Sequence, residues 1–500
     1  METTPRERES EHRDMAQANV LGSDDQQRGV SQEFRALCPL LVCPKCRSTE
    51  LSNPVSGIEI ICRECATHFP VFRCGNVHIP WMFPEPGNTR LEWKARYNGF
   101  LHSNSVDLAR LRQSRGDRQC SSRGRRRISK LLQANEQYRK QVTDILAPLG
   151  LDQIDWPADA TGMLQSKLPK NQGLLSYTNN IFRDWVWDNG ENEALLDAID
   201  SVLQSDTRSN IGSIITLGSG AGRLSYDMHR RYEPDMSVVL DHNPCLLQLS
   251  GQIIQGQEVS LYEFPIAPLN EASFAVLQNC RAPAPLVDRN FYYLLADALD
   301  PPVARESCDT IVTPWLIDII AENLRTYIPR INQSLVEGGV WVNTGSLAFF
   351  HRDESWCYSE EEVLELVEAN GFEILASERR TIPYLQSPHS AHGRIEEVLS
   401  FSAVKVHSVD AEDKKPYIPA WVLNTSRPVP SSTETEICSS NYLLKAQVLA
   451  SVDGKRTINQ IARMVARQYG LGLPETIHAV KHILIELWEE TNGSQINNNF

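Results

Sequence analysis

Residues 214–224 read Ile214-Ile-Thr-Leu-Gly218-Ser-Gly220-Ala-Gly222-Arg-Leu224: an apolar run, three alternate glycines, then the start of a helical pattern. Glycine at such a turn lets the backbone approach a bound group and adopt conformations closed to other residues, and the following helix offers unpaired N–H groups. Alone, this cluster is often just a tight turn. A second β-rich run, however, ends in Val238-Val-Leu-Asp241, at the separation where an acidic residue reaches ribose hydroxyls in nucleotide-binding α/β folds. A third ends in Ala296-Asp297-Ala298. For Asp241 or Asp297 taken singly the plain alternative is a helix or turn cap; three consecutive strands ending this way argue against that for the set.

Working outward, residues from about Ile128 to Val406 alternate short β-rich runs (SIITLGS, SVVLD, FYYLLAD, DTIVTPW, GGVWVNTGS) with helical ones. That alternation is the signature of an α/β fold with a mainly parallel sheet. The loop lacks the GK[ST] of an NTPase, and G-x-G-x-G in place of G-x-G-x-x-G disfavours a nicotinamide dehydrogenase. Five hundred residues exceed one ordinary core. Composition shifts divide the chain into a polar tail (1–33), a cysteine-rich segment (34–84), a helical segment with a basic linker (85–127), the α/β domain (128–407), a Pro/Ser-rich linker (408–436) and a compact run of amphipathic helices (437–492).

With 41% hydrophobic residues and 22% charged ones, the composition is globular. No apolar stretch approaches the roughly 20 residues of a membrane span, and the first thirty residues carry no apolar core of a secretory signal. The expected compartment is therefore the cytoplasm, where twelve cysteines would be free thiols or metal ligands. A net charge of −14 opposes nucleic-acid binding. The basic run Arg123 to Arg127 is the local exception and reads as a solvated linker, with RNA contact as the alternative.

Cys43-Pro-Lys-Cys46 and Cys62-Arg-Glu-Cys65 form C-x2-C-x15-C-x2-C, a zinc-ribbon spacing. Four thiolates complete a closed tetrahedral site, so the Zn2+ expected here is structural and does not activate water. Cys38, Cys74 and His68 fall outside the spacing and read as packing residues. The run from Leu41 to Met82, with its His-Phe-Pro step and closing Ile-Pro-Trp-Met, resembles the small zinc-ribbon proteins that partner and activate tRNA and protein methyltransferases. That resemblance implies a stabilising or partner-contacting role.

Four blocks carry a second resemblance: Phe182-Arg183-Asp184-Trp185, the glycine loop with Arg223-Leu224, Trp315-Leu316-Ile317-Asp318, and Gly338-Gly339-Val-Trp341-Val-Asn343-Thr-Gly345. In this order they are similar to the carnosine N-methyltransferase family, over about Leu174 to Lys405. The resemblance implies a class I Rossmann-like sheet and S-adenosylmethionine as cofactor. Arg183, Gly218, Gly220, Gly222, Arg223, Asp241 and Asp297 would lie on the cofactor side; Asp318 and Asn343 would lie on the acceptor side. Each acceptor residue has a rival role: Asp318 as cap of a helix starting at Ala321, Asn343 as a tie at its strand end. His351 reads as packing. The chain departs from the family after Asn343, reading Gly345-Ser-Leu-Ala-Phe-Phe-His351 where the family has Gly-Pro-Leu-Leu-Tyr-His, and again at Pro383 to His392, which puts carnosine itself in doubt as acceptor.

Beyond the second linker, Asp453-Gly454 makes a turn, Thr457 is placed to cap the next helix, and a small helical core is expected from Leu444, Val448, Leu449 and Val452 on one face, Ile477, Val480, Ile483, Leu484 and Leu487 on another, and Ile461-Ala462 between them. This module resembles PqqD-like (winged-helix-like) domains, which implies a peptide partner; plain packing is the alternative. The expected activity is N-methylation of an imidazole- or amine-containing small molecule or peptide. The alternatives are a tRNA or protein methyltransferase with a fused activator ribbon, and a cofactor-binding scaffold without turnover.

Overall fold

The computed structural model describes residues 35–52, 58–75, 77–151, 174, 176–203, 211–286, 290–349, 351, 353–411, 426, 428, 431 and 433–492. The tail at 1–33 and most of the linker at 408–436 lie outside them. The chain divides into two compact units, Met1–Lys414 and Lys415–Phe500.

The strands of the first unit are, in chain order, β1 (Leu51–Ser52), β2 (Glu59–Cys62), β3 (His68–Cys74), β4 (Val77–Met82), β5 (Ser213–Leu217), β6 (Met236–Asp241), β7 (Val259–Glu263), β8 (Val276–Cys280), β9 (Phe291–Ala296), β10 (Cys308–Pro314), β11 (Leu335–Gly345), β12 (Phe372–Tyr384) and β13 (Arg394–Lys405). β7 and β8 pair with each other, and the remaining eleven form one sheet in the order β1-β2-β3-β4-β9-β6-β5-β10-β11-β13-β12. From β9 to β11 all neighbours are parallel. β13 then inserts antiparallel between β11 and β12. Strand order reverses between β5 and β10, and the crevice at the C-terminal ends of such a pair is where α/β sheets bind ligands.

Local sequence explains this arrangement. Every residue of β5 and β9 is buried, as expected of parallel strands covered on both faces. Ile215 and Leu217 feed one core layer while Ile214 feeds another, following the two-residue alternation of a strand. Asn243 caps the helix Pro244–Ile254 by accepting from the Cys245 N–H, with Pro244 in the first turn, where its missing N–H costs nothing.

One expectation needs correction. Arg123 to Arg127 are not a linker but open the helix Ser122–Leu146, whose N-cap Ser121 accepts from the Gly124 N–H. That helix runs antiparallel to Pro86–Gly116: Tyr97 donates to Thr143 and Arg112 to Glu136. The cysteine-rich segment joins the same sheet. β4 pairs parallel with β9, matching Trp81 to Leu295 and Met82 to Ala296, so the segment extends the sheet and covers an otherwise open edge.

In the second unit, helices Thr433–Ala450, Ile458–Tyr469 and Leu473–Asn492 enclose Val448, Ile461, Ala462, Val465 and Val480. Thr457 and Gln460 form a reciprocal capping box. The described residues of this unit contain no strand, so the wing of a winged helix is absent among them. No helix among the described residues is long and apolar enough to cross a membrane.

Candidate cofactor and acceptor site

The glycine loop follows β5. Gly218, Gly220 and Gly222 all have φ in the left-handed region, at 71°, 59° and 86°. Each meets different surroundings. A Cβ on Gly222 would lie 2.3 Å from Ser250 Oγ and one on Gly218 3.1 Å from Leu316, whereas one on Gly220 would meet nothing within 4 Å. The loop thus packs inward at its two ends and faces open space at its centre, leaving a cradle there. The Gly218 and Ser219 N–H groups donate to Leu240 O, and the Gly220 N–H donates to Asp241 Oδ2 at 2.8 Å. Asp241 Oδ1 accepts from Asn243 N, so its carboxylate is fixed on both sides at the lip of the loop. Ser219 Oγ is buried there without a partner.

The helix Thr178–Trp185 is pinned to this loop. Trp185 Nε1 donates to Ala221 O at 2.9 Å, and Arg223 donates to Asp184 O while its Nε holds Asp227. Arg223 also lies 5.6 Å over the Trp185 ring. Arg183 is buried and donates to Asp184 at 2.7 Å, with Glu191 3.8 Å away. Burial opposes the guanidinium charge, but those two carboxylates outweigh it and push its pKa above the usual value. Burial pushes Glu191 up to about 7, although Arg183 pulls the other way. Glu191 also accepts from Leu385 N, and sequence reading missed it: nothing local marks a carboxylate that is buried by a segment 194 residues away.

Asp297 follows β9, with Oδ1 accepting from Leu299 N at 3.0 Å. On the far side of the crevice, Asp318 follows β10. The helix after it starts at Leu324 and is capped by Asn323, which removes the capping role considered for Asp318. Asp318 is 6% exposed; Oδ2 accepts from Ser346 Oγ and Ala348 N, and Oδ1 is buried without a partner. Burial raises its pKa, against the Ser346 hydrogen bond. Trp315, at φ +50°, packs against Tyr384 with ring centroids 4.5 Å apart and the rings tilted by 54°, and its Nε1 is buried without a partner. β12 runs parallel to β11, so Tyr384 ends at the same sheet edge as Asp318. Neither aromatic was assigned from sequence; Tyr384 sits in the departing segment at 383–392.

Asn343 is a correction. It is wholly buried inside the sheet, where its side-chain amide lies 2.9 Å from Thr313 Oγ1 and reaches Leu399 O on the other side. Trp341 Nε1 in turn donates to Thr313 Oγ1. Asn343 ties β11 to its two neighbours and is fully enclosed by them. Asn343→Ala is therefore expected to cost about 1–3 kcal/mol of stability by orphaning buried polar groups; thermal melting and cofactor titration together check this, with affinity staying near wild type. His351 packs between Phe349 and Trp356.

The four cysteines converge. Their sulfurs lie within 4.8 Å of one another, with Cys43–Cys65 and Cys46–Cys62 at 3.6 Å. The two knuckles repeat each other: Cys43 N donates to Ser48 O and Cys62 N to Thr67 O, and the residues after each second cysteine, Arg47 and Ala66, are left-handed at φ 62° and 53°. Four thiols in one shell suit a tetrahedral soft metal such as Zn2+.

A parallel sheet reversing at a glycine loop, with acidic residues closing the next two strands and an antiparallel strand inserted near the far edge, has the Rossmann-like topology of S-adenosylmethionine-dependent methyltransferases. Within that class, a family model described as carnosine N-methyltransferase matches residues 243–407. The match includes Asp297 and Asp318 but begins after the glycine loop. Carnosine N-methyltransferase unmet of Drosophila melanogaster is 27% identical over 266 residues, covering 48% of this chain and 56% of that protein. The carnosine N-methyltransferase of Schizosaccharomyces pombe is 21% identical over 293 residues, covering 50% of this chain and 74% of that protein. The chain thus spans little more than half of the fly relative. The structure of N-methyltransferase NodS from Bradyrhizobium japonicum overlaps 44% of this chain and 99% of its own, at 14% identity and a TM-score of 0.29.

Proposed function

We propose that the chain transfers the methyl group of S-adenosylmethionine to a nitrogen of an imidazole- or amine-containing small molecule or peptide. The observation that carries this reading is Asp318: a buried carboxylate with one oxygen held by Ser346 and Ala348 and the other free, at the sheet edge that bears the glycine loop. The cofactor supplies an electrophilic methyl on a cationic sulfur. Gly218 to Gly222 let its backbone side approach, Asp241 receives the ribose, and Asp297 the adenine amino group; Arg183 and Arg223 brace the helix lying over the loop. Asp318 accepts a hydrogen bond from one acceptor N–H, which turns the reacting nitrogen's lone pair toward the methyl group. The new N–C bond forms as the C–S bond breaks and sulfur keeps the electron pair. Alignment is the main requirement of such a step.

Under the same reading, Cys43, Cys46, Cys62 and Cys65 form a zinc ribbon with structural Zn2+. The segment 34–84 acts as an activator ribbon in cis, 128–407 is the methyltransferase domain, and 437–492 is a PqqD-like module for a peptide partner. The fused ribbon supports a second reading, a protein or tRNA methyltransferase; the net charge of −14 weighs against tRNA.

Calorimetric titration with S-adenosylmethionine and S-adenosylhomocysteine, followed by a methyl-transfer screen over histidine derivatives, amines and peptides, tests the proposal. Saturable binding with turnover is expected; binding without product across that panel would instead favour a recruiting scaffold. Asp318→Ala is expected to leave cofactor affinity within about twofold and to slow transfer by about 100-fold, the scale of a misplaced reactant. A variant that transfers at the wild-type rate would remove Asp318 from the acceptor side.

A further inference from the structure

The segment that carries Asp297 is gripped from both directions by the cysteine-rich ribbon. Just before it, Met82 of β4 pairs with Ala296. Just after it, Val42 N donates to Pro302 O at 3.0 Å, Ala304 N donates to Leu40 O at 2.7 Å, and Leu41 bridges Val303. Arg47 then reaches across: its two terminal nitrogens donate to Pro301 O at 3.0 Å and Val303 O at 3.1 Å, and Asp300 lies 3.5 Å from the same guanidinium. Arg47 is the left-handed residue that closes the first cysteine knuckle, so its backbone is set by the knuckle itself. On the opposite flank Arg330 donates to Leu299 O at 3.1 Å while Glu322 holds its other end. Asp297 in turn takes its orientation from this segment, through Leu299 N to its carboxylate and Asp300 N to its carbonyl.

We propose that Arg47 is a positioning residue for adenine recognition: it carries the geometry of the cysteine knuckle into the Asp297–Val303 segment and so sets where the Asp297 carboxylate stands. A planar guanidinium that bonds two carbonyls two residues apart fixes the spacing between them, which a single-point donor cannot do. The consequence is selective. A carboxylate held in place accepts from the exocyclic amino group of adenine and repels the carbonyl oxygen that hypoxanthine presents at the same position. Loosening the segment blunts that discrimination more than it weakens the rest of the cofactor contacts, which belong to the glycine loop.

This inference rests on the reading of Asp297 as the adenine contact, and the experiment separates the two. S-adenosylhomocysteine and S-inosylhomocysteine are titrated calorimetrically into the full-length wild type, Arg47→Ala and Arg47→Lys, with zinc content and circular dichroism measured on each sample. The wild type is expected to prefer the adenosyl ligand. Arg47→Ala should shrink that preference about tenfold at unchanged zinc content and helical signal, and Arg47→Lys, which keeps the charge but not the fork, should shrink it nearly as much. A preference equal to wild type in both variants overturns the role of Arg47. Absence of any preference in the wild type overturns the Asp297 reading itself, and the inference with it. Should Arg47→Ala lose zinc or fold, the ratio measured on Arg47→Lys decides.

Discussion

Gly220→Arg is expected to abolish binding of S-adenosylmethionine and S-adenosylhomocysteine while leaving the fold and the metal content intact. The three loop glycines are not equivalent targets. Gly222 and Gly218 lie against Ser250 and Leu316, so a side chain at either would push into the helix Pro244–Ile254 or the turn after β10 and confound binding with misfolding. Gly220 has open space where its Cβ would stand, so the protein itself accommodates the substituent. The left-handed φ of 59° costs an L-residue roughly 1–2 kcal/mol, a cost the large first unit can absorb. The side chain would nevertheless fill the centre of the cradle, directly beside the N–H that holds Asp241. A loss of affinity of at least 1000-fold, about 4 kcal/mol, is the expected calorimetric result. A folded Gly220→Arg protein that still binds either ligand at wild-type affinity would remove the loop from the cofactor site.

Much of this site is legible in the sequence because its signals are local. A strand, a glycine-rich turn and a helix start occupy eleven consecutive residues, and the knuckle cysteines declare themselves by spacing alone. Asp241 and Asp297 are readable because each ends an apolar run. The parts that were not legible are set by contacts distant in the chain. β4 reads as the closing strand of a small ribbon, yet Met82 pairs with Ala296; parallel pairing between segments so far apart leaves no local pattern to find. Glu191 looks like an ordinary surface charge of a helical segment until Arg183 and the Leu385 backbone enclose it. The basic run at 123–127 resembles a linker because Gly124 and its serines interrupt the apolar periodicity, whereas a serine N-cap is how a helix of that composition begins.

Asn343 is different, since a usable signal was present. Trp341 and Asn343 are two apart on one strand and therefore share a face. A buried tryptophan at the first position places the second in the same core, where an amide must find partners inside the sheet, as Asn343 does with Thr313 and Leu399. For Asp318 the structure removes only the rival role: the next helix starts at Leu324 and is capped by Asn323.

Removing the metal is expected to have the second large effect, and it reaches beyond the ribbon. The β1–β4 segment is small; Ile60, Phe69, Ile79 and Trp81 are its main buried side chains, too few to order it unaided. A structural zinc contributes about 10–16 kcal/mol of apparent binding free energy in zinc-finger peptides, as much as the whole net stability of an ordinary domain. Chelation, or the double substitution Cys43→Ser with Cys62→Ser, should therefore unfold the knuckles, release Leu40 to Arg47 from Pro301 to Ala304, and leave β9 as an open edge. Three readings should move together: one equivalent of zinc lost by metal analysis, a lower melting temperature, and a fall in S-adenosylhomocysteine affinity larger than that of Arg47→Ala, because every contact flanking Asp297 is loosened at once. The order of these effects matters. A chelated protein that loses zinc and melts earlier yet keeps its cofactor affinity would confine the metal to a local staple and sever the ribbon from the site. Protein that carries no zinc and melts unchanged after the double substitution would mean that the ribbon's apolar contacts with the sheet edge hold it without a metal.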